Sequence, residues 1–484
     1  MPVTIVQKHF HLVGIEGVGM AALALILTDK HLTVSGSDTG EGFETRELLQ
    51  ARSITIFDGF STDHVHGADV VVYTGAHDGE KNIEVVQARN QNIEVKPLAV
   101  VLGELSREKL TIAICGCHGK TTTTALAASI AQHQHEDPSW YVGATTFNQR
   151  LPGGAWNNAG NRVYMEADEY VIDIAAGNRK AKFLELTPHG VIATRYDYDH
   201  IDAYQDEALL QEAYAAFFAR IPKDGFLVIN GDDETLLRLS QDAACTVITV
   251  GFNQTNEVVI TPLPMQGELQ QFSLSHKGEA MGNKPFTLSL SGLHNVLNTA
   301  LVLVARRQDQ LPIDGLNERL SSFTGAHRRL EKIAQLDGVH VYDDYAHHPT
   351  EITATIAAAR QRHPQARIAV LFQPHTYSRT SHFKSEFIDA LVHADEVGLL
   401  PIFASKRERS SAHTITSEEL VQEAQKNGHA VHSVSDGEAG MLSWLDHWYK
   451  PSNPWVIITM GAGNVYEYGR YIITYLQNVT DAQS

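Results

Sequence analysis

The sequence predicts an α/β protein made of three domains in series, each built on a largely parallel sheet. Two observations carry that expectation. Strand-like and helix-like segments alternate from the start of the chain, and two glycine turns each lead from an apolar strand into a helix. Size and composition agree. The chain has 484 residues, 43% of them hydrophobic and 20% charged, which suits about two to four ordered globular cores.

In chain order, Phe10 to Ile15 reads as a strand, Gly14-Ile15-Glu16-Gly17-Val18-Gly19 as a turn and Met20 to Thr28 as a helix. A second strand, Leu32 to Ser35, closes at Gly36-Ser37-Asp38. Strands at Ile54–Phe57, Val70–Tyr73 and Val95–Lys96 complete a Rossmann-like domain over residues 1–106. A central domain, 107–327, opens with the strand Leu110 to Cys115. It continues through Val163–Glu166, Gly190–Thr194 and Phe226–Asn230, and its later part, Thr246 to Leu290, reads as antiparallel strands. The third domain, 328–484, has strands at Val339–Tyr342, Ile368–Phe372, Glu396–Leu400 and Val456–Met460, the last running into Gly461-Ala462-Gly463-Asn464.

Bulk charge narrows the function. The net charge of -19 argues against nucleic acid or an anionic membrane as the main partner, although a local phosphate site remains compatible with it. Three cysteines cannot make a disulfide framework, and Cys115-x-Cys117 lacks a second pair for zinc. No apolar run reaches membrane-spanning length and the N-terminus shows no signal-peptide pattern, so a cytoplasmic protein is expected.

The chemistry concentrates at Gly116-Cys117-His118-Gly119-Lys120-Thr121-Thr122, between an apolar strand and an Ala-rich helix. Backbone N–H groups in such a turn converge on anionic oxygens. Lys120 offers a point charge to the outer phosphates, and the Thr121 hydroxyl can hold Mg²⁺. The loop is shorter than the usual G-x-x-x-x-G-K-[ST]. Glu166-Ala167-Asp168-Glu169 and Asp199-His200-x-Asp202 follow strands of the same domain, where α/β folds place ligand groups. The first glycine loop, with Gly14, Gly17, Gly19 and Asp38, reads as a diphosphate turn with a ribose-binding acid. Its spacing is permuted from G-x-G-x-x-G. Further clusters are His294-Asn295 at a helix start, Arg328-Arg329, Asp343-Asp344-Tyr345-Ala346-His347-His348-Pro349-Thr350 and Phe372-Gln373-Pro374-His375-Thr376-Tyr377-Ser378-Arg379. Each of these alone would pass as a cap, a boundary ion pair or a surface histidine.

In this order, these segments resemble the Mur ligase family, ATP-dependent amide-forming enzymes of peptidoglycan synthesis, and the resemblance spans nearly the whole chain. It implies a three-domain ligase that activates a carboxylate as an acyl phosphate. Within the family, the chain looks most like the branch that adds L-alanine to UDP-N-acetylmuramate. The first glycine loop, Gly14, Gly17 and Gly19 with Asp38, would then hold the UDP-sugar rather than a nicotinamide cofactor. Gly116, Gly119, Lys120, Thr121 and Thr122 would hold ATP phosphates, and Thr121, Glu166 and His200 the Mg²⁺. His294 and Asn295 would meet adenine, Asp344 the ribose and Arg329 the phosphates. His348, His375 and Arg379 would face the acyl group and the amino acid, with Lys120, His200, His348 and Arg379 as the catalytic set.

Three departures qualify the likeness. Cys117 stands where the family more often has threonine, and residues 201–220 contain no lysine that could carry a carbamate. The stretch from Tyr170 to Phe183 is longer than expected and resembles the recycling ligases that attach the preformed tripeptide L-Ala-γ-D-Glu-meso-diaminopimelate to the same sugar nucleotide. Outside the family, a dehydrogenase built on the first domain and a non-catalytic nucleotide-binding regulator remain as alternatives.

Overall fold

The computed structural model describes residues 8–41, 43–199, 201, 203–404, 415–450 and 453–481. They fall into two compact units, Met1–Leu290 with Asn295–Ala326, and Ser291–His294 with His327–Ser484. The first unit contains two large sheets. In the N-terminal one, β1 (His9–Val13), β2 (Thr33–Asp38), β3 (Thr55–Asp58), β4 (Val70–Tyr73) and β5 (Glu94–Pro97) run parallel in the order β3-β2-β1-β4-β5. The order reverses between β1 and β4, and α/β sheets bind ligands at the carboxyl end of such a reversal.

The central sheet begins with β6 (Leu110–Cys115), β7 (Ser139–Phe147), β8 (Leu151–Ala155) and β9 (Arg162–Glu166). A small hairpin follows, β10 (Val171–Asp173) with β11 (Asn178–Ala181). The sheet resumes with β12 (Gly190–Ala193), β13 (Phe226–Asn230), β14 (Thr246–Gly251), β15 (Val258–Gln266), β16 (Leu269–His276) and β17 (Glu279–Leu288). The ten strands lie in the order β17-β16-β15-β14-β13-β12-β6-β9-β7-β8. The sequence predicted antiparallel pairing throughout Thr246 to Leu290. Instead β14 pairs parallel with β13, and β15 starts parallel to β14 before β15, β16 and β17 turn antiparallel. The β-branched residues of TVITVG are compatible with either direction, so the buried neighbour decides.

The helix Val18–Asp29 shows why the two sheets share a core. Every residue from Met20 to Leu27 is buried, so the helix is apolar all round, as a helix covered on several sides must be. A Cβ at Gly154 of β8 would overlap the backbone of Ala22. One at Gly19 would stand 2.6 Å from the Tyr141 hydroxyl of β7. These two glycines let the helix lie directly on the central sheet.

The second unit carries β18 (Glu331–Leu336), β19 (Val339–Asp344), β20 (Arg367–Phe372), β21 (Glu396–Leu399), β22 (Val431–Ser433) and β23 (Trp455–Met460), in the order β18-β19-β23-β20-β21-β22. Among the described residues of this sheet, only the edge strand β18 is antiparallel. Among the described residues no helix is long and apolar enough to cross a membrane.

In the first unit, Phe183 stacks on Phe217 at 4.5 Å and meets Tyr214 edge-on at 5.3 Å, fully buried. Phe183→Ala is expected to cost about 3–5 kcal/mol in denaturant unfolding of this unit, through lost burial and a residual cavity.

Candidate active site

The carboxyl ends of β6, β9 and β12 meet around the short phosphate loop. β6 pairs with β9 on one side and β12 on the other, so their exit loops converge. Gly116 has φ +130°, and a Cβ there would overlap Thr194 after β12. Gly119 has φ +83°, and its Cβ would lie 2.9 Å from Asn298 Oδ1. Both positions therefore require glycine, for conformation and for space. Gly119 caps the helix Lys120–His133, aiming its first amides into the turn.

Lys120 Nζ donates to Gly116 O at 2.7 Å and to both oxygens of Glu169, at 2.9 and 2.8 Å. Burial pulls the ammonium pKa down, but Glu169, with Asp168 and Glu166, outweighs burial and raises it, so Lys120 stays charged. Thr121 Oγ1 donates to Glu166 Oε1 at 3.0 Å, and the Gly143 amide donates to Glu166 Oε2 at 2.7 Å. The predicted pair Thr121 and Glu166 is thus in contact. Thr122 is buried in the first helical turn, while the hydroxyls of Thr123 and Thr124 donate back to the carbonyls of Gly119 and Lys120. The Cys117 thiol donates to Asp197 O at 2.7 Å and its amide donates to Arg195 O, so the loop's departure from threonine is absorbed by backbone acceptors. His200 lies outside the described residues.

At the other glycine loop, Gly14 has φ +80° and lies under the His77 ring, where a Cβ would stand 2.8 Å from His77 Cδ2. Gly17 caps the helix Val18–Asp29 and Gly19 packs on Tyr141. Asp38 is fully buried and accepts the amides of Glu16 and Thr39, both at 2.8 Å. It therefore shapes the loop from within. The sequence reading expects the same residue to serve the UDP-sugar loop as its ribose-binding acid.

In the second unit, Asp344 is likewise buried. It accepts from Leu330 N at 2.8 Å, Ala346 N at 2.7 Å and Thr355 Oγ1 at 3.1 Å, so its carboxylate organises the loop around it. Arg329 lies over the Tyr345 ring, with Nη1 3.7 Å from Glu351 Oε1. Its neighbour Arg328 is a structural clamp. It donates to Asp343 at 2.8 Å and to the carbonyls of Gly461 at 2.7 Å and Gly463 at 3.3 Å, tying β19 to the loop after β23. His348 caps the helix Pro349–Arg362 and meets Phe383 edge-on. His375 stacks on Phe403, and Arg379 lies in the helix Tyr377–His382. His347 lies across from His375, ring to ring at 6.2 Å. Of the adenine candidates, His294 is exposed and Asn295 half-buried at the start of the helix Leu293–Gln308.

Sequence reasoning missed Glu169 as the partner of Lys120, although its position in Glu166-Ala167-Asp168-Glu169 was the available signal. It also missed Asn298, which packs on Gly119.

Three family models match consecutive stretches of the chain: Mur ligase family, catalytic domain, over residues 9–110; Mur ligase middle domain over 114–306; and Mur ligase, glutamate ligase domain, over 328–463. The UDP-N-acetylmuramate–L-alanine ligase of Salinibacter ruber is 33% identical, covering 97% of this chain and 95% of its own. The structure of the UDP-N-acetylmuramate–alanine ligase of Thermotoga maritima superposes with a TM-score of 0.80 at 25% identity, over 98% of this chain and all of that one. A murein peptide ligase from Psychrobacter arcticus shares the fold, with a TM-score of 0.71 at 21% identity, over 97% of this chain and 99% of that one.

The Asp344 environment makes a pH prediction. Burial pushes its carboxyl up to about 6, with Arg329 pulling the other way. A raised carboxyl pKa means that the native state favours the protonated form. Its stabilisation is complete below the ordinary value of 3.8 and is lost as pH rises towards 6. Measured by denaturant unfolding, wild type should therefore lose about 2 kcal/mol relative to Asp344→Asn between pH 4 and pH 7.

Proposed function

The chain belongs to the Mur ligase family, and on that premise we propose that it joins L-alanine to the lactoyl carboxylate of UDP-N-acetylmuramate, with ATP converted to ADP and phosphate. The single observation that carries the reading is the preorganised phosphate loop, in which Lys120 is held charged beside Thr121 and Glu166. The near full-length likeness to alanine-adding relatives supports the choice of substrates. It favours a ligase over a dehydrogenase or a non-catalytic regulator. A cytoplasmic setting goes with soluble substrates of this kind.

The chemistry follows from what each group offers. A carboxylate is a poor electrophile, so one of its oxygens first attacks the γ-phosphate of ATP, giving an acyl phosphate and ADP. The amine of alanine then attacks the acyl carbon, loses a proton and expels phosphate. Lys120 stabilises charge on the phosphoryl oxygens, and the amides of the Gly116–Lys120 turn hold the adjacent phosphates. Thr121 and Glu166 fit a magnesium ion, since both offer hard oxygen donors 3.0 Å apart and Gly143 fixes the second carboxylate oxygen. Mg²⁺ bound there would neutralise phosphate charge. His200, which completes the proposed metal set, lies outside the described residues. Gly14, Gly17 and Gly19 form the proposed diphosphate turn, with Asp38 fixing its shape. Asp344 and Arg329 of the second unit are proposed for the ribose and phosphates, and His294 and Asn295, at the start of the helix Leu293–Gln308, for adenine. His348, His375 and Arg379 are proposed for the acyl group and amino acid, where the Arg379 fork suits a carboxylate.

The decisive experiment measures phosphate release from ATP with UDP-N-acetylmuramate against a panel of amino acids and the tripeptide. Turnover with L-alanine supports the proposal; turnover with the tripeptide alone assigns the recycling reaction instead. Lys120→Ala should lower turnover by about a hundredfold or more, with unchanged secondary structure by circular dichroism. Arg379→Lys keeps the charge but loses the fork. It should raise the KM for alanine while leaving that for ATP within about twofold.

A further inference from the structure

The hairpin β10–β11 has no part in the chemistry above, yet it reaches across to the N-terminal sheet of the same unit. It follows directly on Glu166-Ala167-Asp168-Glu169 and meets the loop that leaves β4, at the point where the sheet order reverses. That loop is strained. His77, Asp78 and Gly79 have φ of +52°, +66° and +54°, three consecutive left-handed residues of which two are not glycine. Such a turn persists only where its surroundings hold it.

The hairpin supplies the hold. Asp173, fully buried, accepts the Glu80 amide at 3.0 Å through Oδ2 and the Ala176 amide at 3.0 Å through Oδ1. Its carboxylate fills the space that a Cβ on Gly79 would need, and the Ile172 carbonyl lies against Gly75, where a Cβ would stand 2.9 Å away. Lys81 Nζ donates to Ala175 O at 3.2 Å. Beyond the turn, the His77 ring covers Gly14, with Nε2 3.7 Å from Asp38 Oδ1 and the ring 5.2 Å from Phe60.

We propose that Asp173 is a positioning residue for the sugar-nucleotide end of the reaction, holding the 77–79 turn so that His77 closes on the Gly14 loop. The proposal rests on the UDP-N-acetylmuramate reading of that loop. The 166–183 segment then serves both ends of the reaction, with Glu166 and Glu169 at the phosphate loop and Asp173 at the sugar loop.

The test compares wild type, Asp173→Ala and Asp173→Asn for KM towards each substrate, for binding of UDP-N-acetylmuramate by calorimetry and for thermal unfolding. Asp173→Ala should raise the KM and Kd for the sugar nucleotide about tenfold, leaving the KM for ATP within about twofold. Asp173→Asn keeps one acceptor and should fall between. An unchanged sugar-nucleotide KM, or equal rises for both substrates together with lowered thermal stability, overturns the positioning role. Should Asp173→Ala not fold, Lys81→Ala gives the same reading through the Ala175 tie, with a smaller rise confined to the sugar nucleotide. Wild type that neither binds nor turns over UDP-N-acetylmuramate instead removes the functional reading on which this inference stands.

Discussion

A charged lysine bonded by both oxygens of a fully buried carboxylate is the constraint around which the central domain is arranged. Neither Lys120 nor Glu169 could stay buried alone, since an unpaired charge in the interior costs several kcal/mol. The pair therefore fixes how the ends of β6 and β9 must meet. The glycines at 116 and 119 follow from it. Only a turn with left-handed residues and no side chains brings the lysine back over its own loop carbonyl while leaving room for Thr194 and Asn298. Charge that is already compensated and held in place needs little reorganisation when a phosphate arrives, which is the condition for electrostatic catalysis.

The same economy recurs in the other two sheets. Each presents the carboxyl ends of its parallel strands, and each uses a buried acid to fix the backbone there: Asp38 at the end of β2, and Asp344 at the end of β19. Arg328 does comparable work by bonding two carbonyls of the loop after β23. The groups proposed for the ligands are thereby carried on loops whose shape is set by hydrogen bonds within the protein.

How much of this the sequence disclosed depended on the kind of signal. Leu110–Cys115 and Phe226–Asn230 are apolar runs bounded by turns, and the predicted and observed strands coincide. Leu151–Ala155 carries a proline and two glycines, so it holds none of the usual strand signals. It forms a strand because it lies at the sheet edge, where proline is tolerated, and because Gly154 admits the backbone of Ala22. The hairpin Val171–Ala181 drew notice only as extra length, because its reason for folding is a contact with a turn some ninety residues earlier. At the site, glycines and the lysine were legible as a motif. Whether an acid such as Asp38 or Asp344 faces a ligand or its own backbone depends on side-chain direction, which residue type does not encode.

The placement of β6 also bears on how the molecule comes into being. The strand that carries the phosphate loop is made early, yet its neighbours are β9 and β12, so Leu110 waits for Arg162 and Ile112 for Gly190. A nascent chain emerging from the ribosome at about 5–20 residues per second must expose the apolar run Thr111 to Cys115 for several seconds before either edge is covered. The strand that leads into the phosphate loop is therefore one that stays open to non-native pairing while the chain is made, a cost of setting it at the centre of a sheet whose neighbouring strands come later.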